Sequence, residues 1–159
     1  MSAGSVRVGA GAVVVRDDAL LLVRQTYGWA QGRWLLPNGG QQSGETLADC
    51  AVRELREETG LSGIAGRLVA VRSALGSDTF VALEVEAATG EPQPDGKETD
   101  GAQFFTASVI GEMFERGEVV RLHRLIAAHV LSDAERESIQ TLPALDRDGN
   151  PATSTIYLL

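Results

Sequence analysis

The sequence predicts one α/β domain, and two observations carry that prediction. Apolar segments rich in β-branched residues, which are typical of strands, lie on both sides of a central stretch. That stretch, Thr46 to Thr59, contains no glycine or proline and is rich in Ala, Leu, Arg and Glu, so it predicts a helix. With 159 residues and 43% hydrophobic content, the chain has the size of a single domain, 1–159, with one core.

The residues before this helix predict a short series of strands and loops. Glycine, proline and charged residues interrupt the apolar runs at the points where turns are expected. Tyr27 and Trp29 lie among glycines, which indicates a loop with exposed aromatic side chains. In order, we predict strand, turn, strand, loop, strand and loop at 6–15, 16–18, 20–23, 25–33, 34–37 and 38–44.

The helix itself carries its own boundary signals. Thr46 and Asp49 have the spacing of a capping box, and Gly60 stands where a left-handed residue would end the helix. Beyond it we predict two strands, an exposed acidic loop, two helices and a terminal hairpin, at 64–74, 80–87, 91–101, 109–114, 119–131 and 140–159.

Charge and cysteine content limit the classes of partner. Lys and Arg total 14 against 22 Asp and Glu, a formal net charge of -8, so we expect no long nucleic acid as a partner. The one cysteine, Cys50, cannot form an internal disulfide, and Arg16 to Asp18 interrupt the apolar N-terminal segment. We therefore expect a cytoplasmic protein with no membrane partner.

Three carboxylates share one face of the predicted helix. At about 100° per residue, Glu54, Glu57 and Glu58 fall within one arc of its last two turns. That position is unfavourable, because a helix C-terminus carries partial negative charge and the carboxylates repel one another. Clustered oxygen ligands suit a hard cation such as Mg2+ or Mn2+. The alternative is a solvated acidic face on which Arg53 pairs with Glu57 and leaves Glu54 and Glu58 without partners.

Residues 39–61 extend this pattern into a longer motif. Gly39 is followed after five residues by Glu45 and after seven more by Arg53-Glu54-Leu55-Arg56-Glu57-Glu58-Thr59-Gly60-Leu61. This segment resembles the Nudix box, and every specified position of that motif is met. The resemblance implies an α/β/α sandwich with a mixed sheet and a loop-helix-loop catalytic motif.

The resemblance also implies roles for individual residues. Mg2+, or Mn2+, would be held by Glu54, Glu57 and Glu58 with the backbone carbonyl of Gly39, and Glu98 resembles a further carboxylate near the metals. Arg53 would orient a glutamate, and Glu45 would tie the loop to the helix, while Gly39, Glu45 and Gly60 define the motif. The catalytic base stays open between Glu57 and Glu98. Asn38 and Gln42 depart from residues common in relatives, although neither belongs to the motif.

The expected reaction is Mg2+-dependent hydrolysis of a diphosphate linkage in a nucleoside diphosphate derivative or a nucleoside triphosphate. The alternative is a Nudix-fold domain that binds or senses a nucleotide without cleaving it. Tyr27 and Trp29 are candidates for stacking on a base. The expected partner is a small nucleotide-like anion, and a homodimer is compatible with the resemblance. The sequence leaves the identity of the nucleotide open.

Overall fold

The computed structural model describes residues 6–74, 78–87, 89–132, 140–145 and 151–159. These residues form ten strands, three α-helices and one short 3-10 turn at Gly28–Ala30. The strands are β1 Arg7–Val13, β2 Val15–Arg16, β3 Ala19–Gln25, β4 Trp34–Leu35, β5 Asn38–Gly40, β6 Gly63–Ala74, β7 Asp78–Ala87, β8 Thr99–Thr106, β9 Gln140–Leu145 and β10 Pro151–Leu158. The helices are α1 Leu47–Thr59, α2 Ala107–Glu115 and α3 Arg121–Val130.

The strands form two sheets. The larger one has the order β5-β1-β7-β6-β10-β9, and it is mixed because β1 runs parallel to β7 and antiparallel to β5. In the smaller sheet, β3 pairs antiparallel with β2, β4 and β8. The predicted terminal hairpin is present as the antiparallel pair of β9 and β10. Residues 146–150 of its predicted turn lie outside the described residues.

Helices cover the sheets on two sides. Successive side chains of a strand point to opposite faces, and in β3 Leu21 joins a core cluster with Leu55 of α1, whereas Leu20 and Leu22 join a cluster with Ile126 of α3. Two cores therefore lie on the two faces of the strands, which confirms the predicted α/β/α sandwich. No helix among the described residues is both long and apolar enough to cross a membrane.

The predicted opening hairpin is only partly correct. The turn is present, with Asp17 and Asp18 at φ values of 49° and 58°, but it joins β3 to the two-residue strand β2. β1 ends at Val13 and belongs to the other sheet, where it pairs with β5 and β7. Its last four residues are all buried, as expected for a strand covered on both faces, so the apolar run continues across the change of sheet.

Two predicted loops contain strand residues. The segment expected as a loop at Asn38–Gly40 is strand β5, in which Gly39 pairs with Ala10 and Gly40 with Gly9. Glycine permits this approach, since a Cβ at Gly9 would lie 2.7 Å from the carbonyl oxygen of Gly39. Likewise, the predicted loop 91–101 gives way to β8 at its last three residues.

Local signals set the boundaries of α1 as predicted. The hydroxyl of Thr46 accepts a hydrogen bond from the amide of Asp49 at 3.1 Å, and the Asp49 carboxylate accepts one from the amide of Thr46 at 2.9 Å. Gly60, with φ 72°, ends the helix in the left-handed conformation. These caps fix which carboxylates fall in the last two turns.

Candidate functional site

The three carboxylates at the end of α1 have different environments. Glu54 and Glu58 are buried, with 7% and 2% of their surface exposed, whereas the side chain of Glu57 is 53% exposed. The helix therefore directs two of the predicted ligands inward and one toward solvent.

Arg53 holds the outer part of this group together. Its guanidinium donates to Glu45 at 2.7 and 3.0 Å, to Glu54 at 2.6 Å and to Glu57 at 3.1 Å, and it also donates to the carbonyl of Gly40 at 3.0 Å. These bonds raise the pKa of Arg53, with the bond to Glu45 contributing most, and they lower the pKa of Glu45 to about 2. The alternative predicted that Arg53 pairs with Glu57 and leaves Glu54 without a partner. The Arg53–Glu57 pair is present, but Glu54 shares the same guanidinium, so the second part of the alternative is wrong.

Glu58 is held without a cation. Its Oε1 accepts a hydrogen bond from Gln25 Nε2 at 3.0 Å, and its Oε2 accepts one from the amide of Asn38 at 2.9 Å. Burial raises the pKa of Glu58 to about 8, and the nearby charge of Glu54 adds to that rise. Asn38 thus supports the site through its backbone amide.

Glu54 lies directly against Gly39. A Cβ on Gly39 would lie 2.0 Å from Oε1 of Glu54, so only glycine leaves room for this carboxylate. Burial raises the pKa of Glu54, Arg53 opposes that rise, and the charges of Glu57 and Glu98 reinforce it. The Gly39 carbonyl is approached by Cys50 Sγ at 3.6 Å.

Glu98 is brought to the same cluster by a turn that the sequence did not reveal. The carboxylate of Asp95 accepts hydrogen bonds from the amides of Lys97, Glu98 and Thr99 at 3.1, 3.0 and 2.8 Å. The charge of Glu98 contributes to the raised pKa values of Glu54 and Glu58. A short Asp-x-x-x-Thr turn signal preceding β8 could have indicated this ordered loop.

The two candidate stacking residues lie nearby. Tyr27 and Trp29 are 56% and 65% exposed, as predicted. The hydroxyl of Tyr27 donates to Glu98 Oε2 at 3.1 Å, which ties the aromatic loop to the carboxylates. Trp29 is the more exposed of the two rings.

The carboxylates do not all converge on one point. Within the described residues, no three carboxylate, histidine or cysteine side chains are arranged to hold a metal ion between them. Arg53 instead lies among Glu45, Glu54 and Glu57, so two of the predicted metal ligands, Glu54 and Glu57, share one guanidinium.

A cleft of about 570 Å³ opens beside these carboxylates. Four of its lining residues, Gln25, Tyr27, Asn38 and Gly39, each contact Glu58, Glu98 or Glu54. The carboxylates themselves do not line the cleft, so these four residues separate the cleft from the acidic cluster. The rest of the lining includes several residues that the sequence did not single out together, namely Arg7, Arg72, Asp78, Phe80, Arg121 and His123.

A family model described as the NUDIX domain matches residues 5–127, which is more than half of the chain. The chain belongs to the Nudix family. The matched region contains all the residues of the acidic cluster, including Glu98. This membership confirms the resemblance that residues 39–61 indicate.

Named Nudix relatives and solved structures agree with this assignment. The chain is 30% identical over 123 residues to the NAD-capped RNA hydrolase NudC of Vibrio parahaemolyticus, a match covering 76% of this chain and 47% of that protein. A NUDIX hydrolase from Nitrosomonas europaea superposes with a TM-score of 0.70 at 21% identity, covering 93% of this chain and 76% of that one. An ADP-ribose pyrophosphatase from Streptococcus suis superposes with a TM-score of 0.56 at 22% identity, covering 84% and 97%. The chain spans less than half the length of the curated relatives that it matches first, including this NudC protein.

Proposed function

We propose that the chain hydrolyses a phosphoanhydride linkage in a small nucleoside diphosphate derivative or nucleoside triphosphate, with Mg2+ or Mn2+ as the cofactor. The observation that carries the proposal is that Gln25, Asn38 and Gly39 both line the cleft and contact the buried carboxylates Glu54 and Glu58. A ligand whose phosphates extend past these residues would meet oxygens that are crowded, partly desolvated and short of positive charge.

The donor set fits a hard divalent cation in its chemistry. Every candidate ligand supplies oxygen: the carboxylates of Glu54, Glu57, Glu58 and Glu98 and the carbonyl of Gly39. Glu58 has no cationic partner among the described residues and a pKa raised to about 8, so a cation placed beside it would relieve an unfavourable charge. Cation binding would compete with Arg53 for Glu54 and Glu57.

The residues have separable roles in this reaction. The bound cation supplies positive charge that offsets the phosphate oxygens and makes a water molecule easier to deprotonate. Arg53 fixes Glu54 and Glu57, while Asn38 and Gln25 fix Glu58. Glu57 is exposed, and its Oε1 accepts no hydrogen bond from the described residues, so that atom is available to take a proton from water. Glu98 Oε2, which accepts from Tyr27, is the other candidate base.

Small substrates suit the charge of the molecule. The net charge of -8 opposes a long polyanion, whereas the cleft volume of about 570 Å³ is in the range of small-molecule sites. Two proteins that resemble this chain are named an NAD-capped RNA hydrolase and an ADP-ribose pyrophosphatase. The substrates in both names contain a diphosphate within a nucleotide. We infer a substrate of that chemical class.

A non-catalytic nucleotide-binding domain is the second candidate. The observation that favours it is the bridging of Glu45, Glu54 and Glu57 by Arg53, which gives three carboxylates a cation from the protein itself. Such a domain would bind nucleotides in the cleft and release no product.

Product release across a panel of nucleotides separates the two candidates. The panel contains nucleoside triphosphates, ADP-ribose, dinucleotide polyphosphates and sugar nucleotides, each assayed with Mg2+, with Mn2+ and with EDTA. Hydrolysis that requires the divalent ion supports the proposal. Nucleotide binding by calorimetry with no product for any compound favours the binding domain.

Four single substitutions test the assigned residues. Glu54→Gln, Glu57→Gln, Glu58→Gln and Glu98→Gln remove one charge each, and we expect losses of kcat/KM of at least about 100-fold for the base. Glu84→Gln is the matched control, since Glu84 forms an exposed ion pair with Arg67 between the inner strands β6 and β7. Unchanged turnover in both Glu57→Gln and Glu58→Gln, with melting temperatures near that of the wild type, would contradict the scheme.

A further inference from the structure

Two arginines in the cleft have buried donors that nothing in the described chain satisfies. Arg72 lies on β6 and Arg121 is the first residue of α3, and both line the cleft. Arg72 Nε and Arg121 Nη1 are buried, and neither makes a hydrogen bond within the described residues. Leaving a charged donor buried and unpaired is costly, so such groups call for a ligand.

Asp78 satisfies only part of the hydrogen-bonding capacity of the Arg72 guanidinium. Its Oδ2 accepts from Arg72 Nη2 at 2.5 Å, which orients the guanidinium and leaves Nε unbonded. Arg7, Arg72 and Arg121 line the cleft against one acidic lining residue, Asp78. The lining is therefore positively charged on a molecule whose net charge is -8.

Neighbouring groups do not neutralise this charge. His123 Nδ1 accepts a hydrogen bond from the amide of Leu36 at 3.2 Å, so its ring is neutral and neither adds to nor offsets the charge of the arginines. The α3 N-terminus, where Arg121 lies, has no capping side chain and no acidic residue in its first turn. An anion at this place would meet two guanidinium groups and the positive end of a helix dipole.

This positive region is separate from the carboxylate cluster. Gly39, which touches Glu54, is followed by Gly40, which pairs with Gly9; Gly9 pairs with Phe80, and Phe80 pairs with Arg72. Gly40 and Arg72 therefore lie in one row across four neighbouring strands, three strand spacings or roughly 14 Å apart. One diphosphate at the carboxylates cannot also occupy the arginines, so a second part of the ligand must reach them.

We propose that Arg72 and Arg121 bind a second oxyanion of the substrate, a phosphate monoester or carboxylate on the part that is not hydrolysed, and so determine specificity. The inference rests on the proposed function for the identity of the hydrolysed bond. Guanidinium groups match both oxyanions because their donors form a planar fork that binds two oxygens at once. Asp78 positions Arg72, and Tyr27 and Trp29 also line the cleft.

Matched substrates that differ by one oxyanion test the proposal kinetically. NADPH and NADH differ by a phosphate monoester, and UDP-glucuronate and UDP-glucose differ by a carboxylate. We expect kcat/KM to favour the charged member of at least one pair by about 10-fold or more, since each charge-assisted hydrogen bond contributes about that factor. The preferred pair tells which oxyanion the site takes.

Two variants and two matched controls assign the preference to residues. Arg72→Gln and Arg121→Gln should each bring the ratio of kcat/KM values for the charged and the uncharged substrate closer to one. Arg67→Gln and Arg124→Gln should keep it, because Arg67 lies on the same strand and pairs with Glu84, while Arg124 lies on the same helix over Phe114. Arg72→Lys keeps the charge but loses the fork, so it distinguishes loss of recognition from loss of folding.

A binding measurement separates this inference from the proposed hydrolysis. Calorimetry in EDTA compares adenosine 2′,5′-bisphosphate with AMP, and UDP-glucuronate with UDP-glucose, in the wild type, in Arg72→Gln and in Arg121→Gln. Tighter binding of a charged member that Arg72→Gln abolishes supports the inference, even if no substrate is hydrolysed. Equal binding within both pairs, or a preference that survives both glutamine variants, overturns it, even if hydrolysis is observed.

Discussion

Gly39→Ala tests whether the contact between β5 and α1 sets the geometry of the carboxylates. The added Cβ would lie 2.0 Å from Oε1, 2.3 Å from Cδ and 2.7 Å from Oε2 of Glu54. Real Cβ contacts essentially never fall below 3.0 Å, so Oε1 must move by at least 1.0 Å, the difference between 3.0 and 2.0 Å. Because Arg53 holds that same oxygen at 2.6 Å, the movement also disturbs the ion pair.

The expected effect is large on activity and small on folding. A displacement of about 1 Å in a catalytic group costs roughly 100-fold in rate, so we expect kcat/KM to fall by about that factor. The Glu54 side chain can turn away, and the loss of its bond to Arg53 costs at most about 3 kcal/mol of folding stability. The assay is product release from the best substrate of the panel as a function of Mg2+ concentration, with urea unfolding measured on the same sample.

Gly40→Ala is the matched control in the same strand. A Cβ there would meet no described atom within 4 Å, so its activity should stay near that of the wild type. Wild-type kcat/KM in Gly39→Ala would refute the reasoning, because Glu54 would then tolerate displacement. An equal loss in Gly40→Ala would refute it too, by showing that strand β5 is sensitive to any side chain.

Two further predictions concern stability. Burial, with a smaller effect from Arg72, lowers the pKa of His123 to about 3, so the unfolded chain takes up a proton below about pH 6.5 that the folded chain refuses. Stability is thus lost as the pH falls from about 6.5 toward 3, and by pH 5 urea unfolding should show about 2 kcal/mol more loss for the wild type than for His123→Asn. Equal pH dependence would contradict the assignment. Thr46→Ala removes the hydroxyl that accepts from the Asp49 amide, and it should lower the unfolding free energy by about 1 kcal/mol, whereas an unchanged value would show that the cap contributes nothing.

Local chemistry explains what the sequence could predict. The limits of α1 depend on Thr46, Asp49 and Gly60, all within or next to the helix, and the structure has them as predicted. The partners of Arg53 within the motif are also close in sequence. Strand β5 was missed because it depends on Gly9, whose role appears only when β1 and β5 are brought together.

Long-range partners explain what the sequence could not predict. Glu58 is held by Gln25, 33 residues away, and no local pattern indicates that contact. The Arg72 and Arg121 side chains meet at one cleft although they come from a strand and a later helix. Each arginine taken alone has the appearance of an ordinary surface cation, and its unsatisfied donor becomes visible only in the folded chain.

The folded chain leaves the carboxylates of the acidic cluster close together with too little positive charge to offset their mutual repulsion. Arg53 supplies one positive charge to Glu45, Glu54 and Glu57, and Glu58 receives only neutral donors. A helix C-terminus makes this worse, and burial adds to it, as the raised pKa values of Glu54 and Glu58 show. A chain selected only for stability would not keep such a group, whereas a chain that must attract a divalent cation and a polyphosphate needs one. The arginines that line the cleft have the opposite imbalance, since they lack negative charge. The two regions together therefore fit what we propose, a divalent cation at the carboxylates and an oxyanion of the substrate at the arginines.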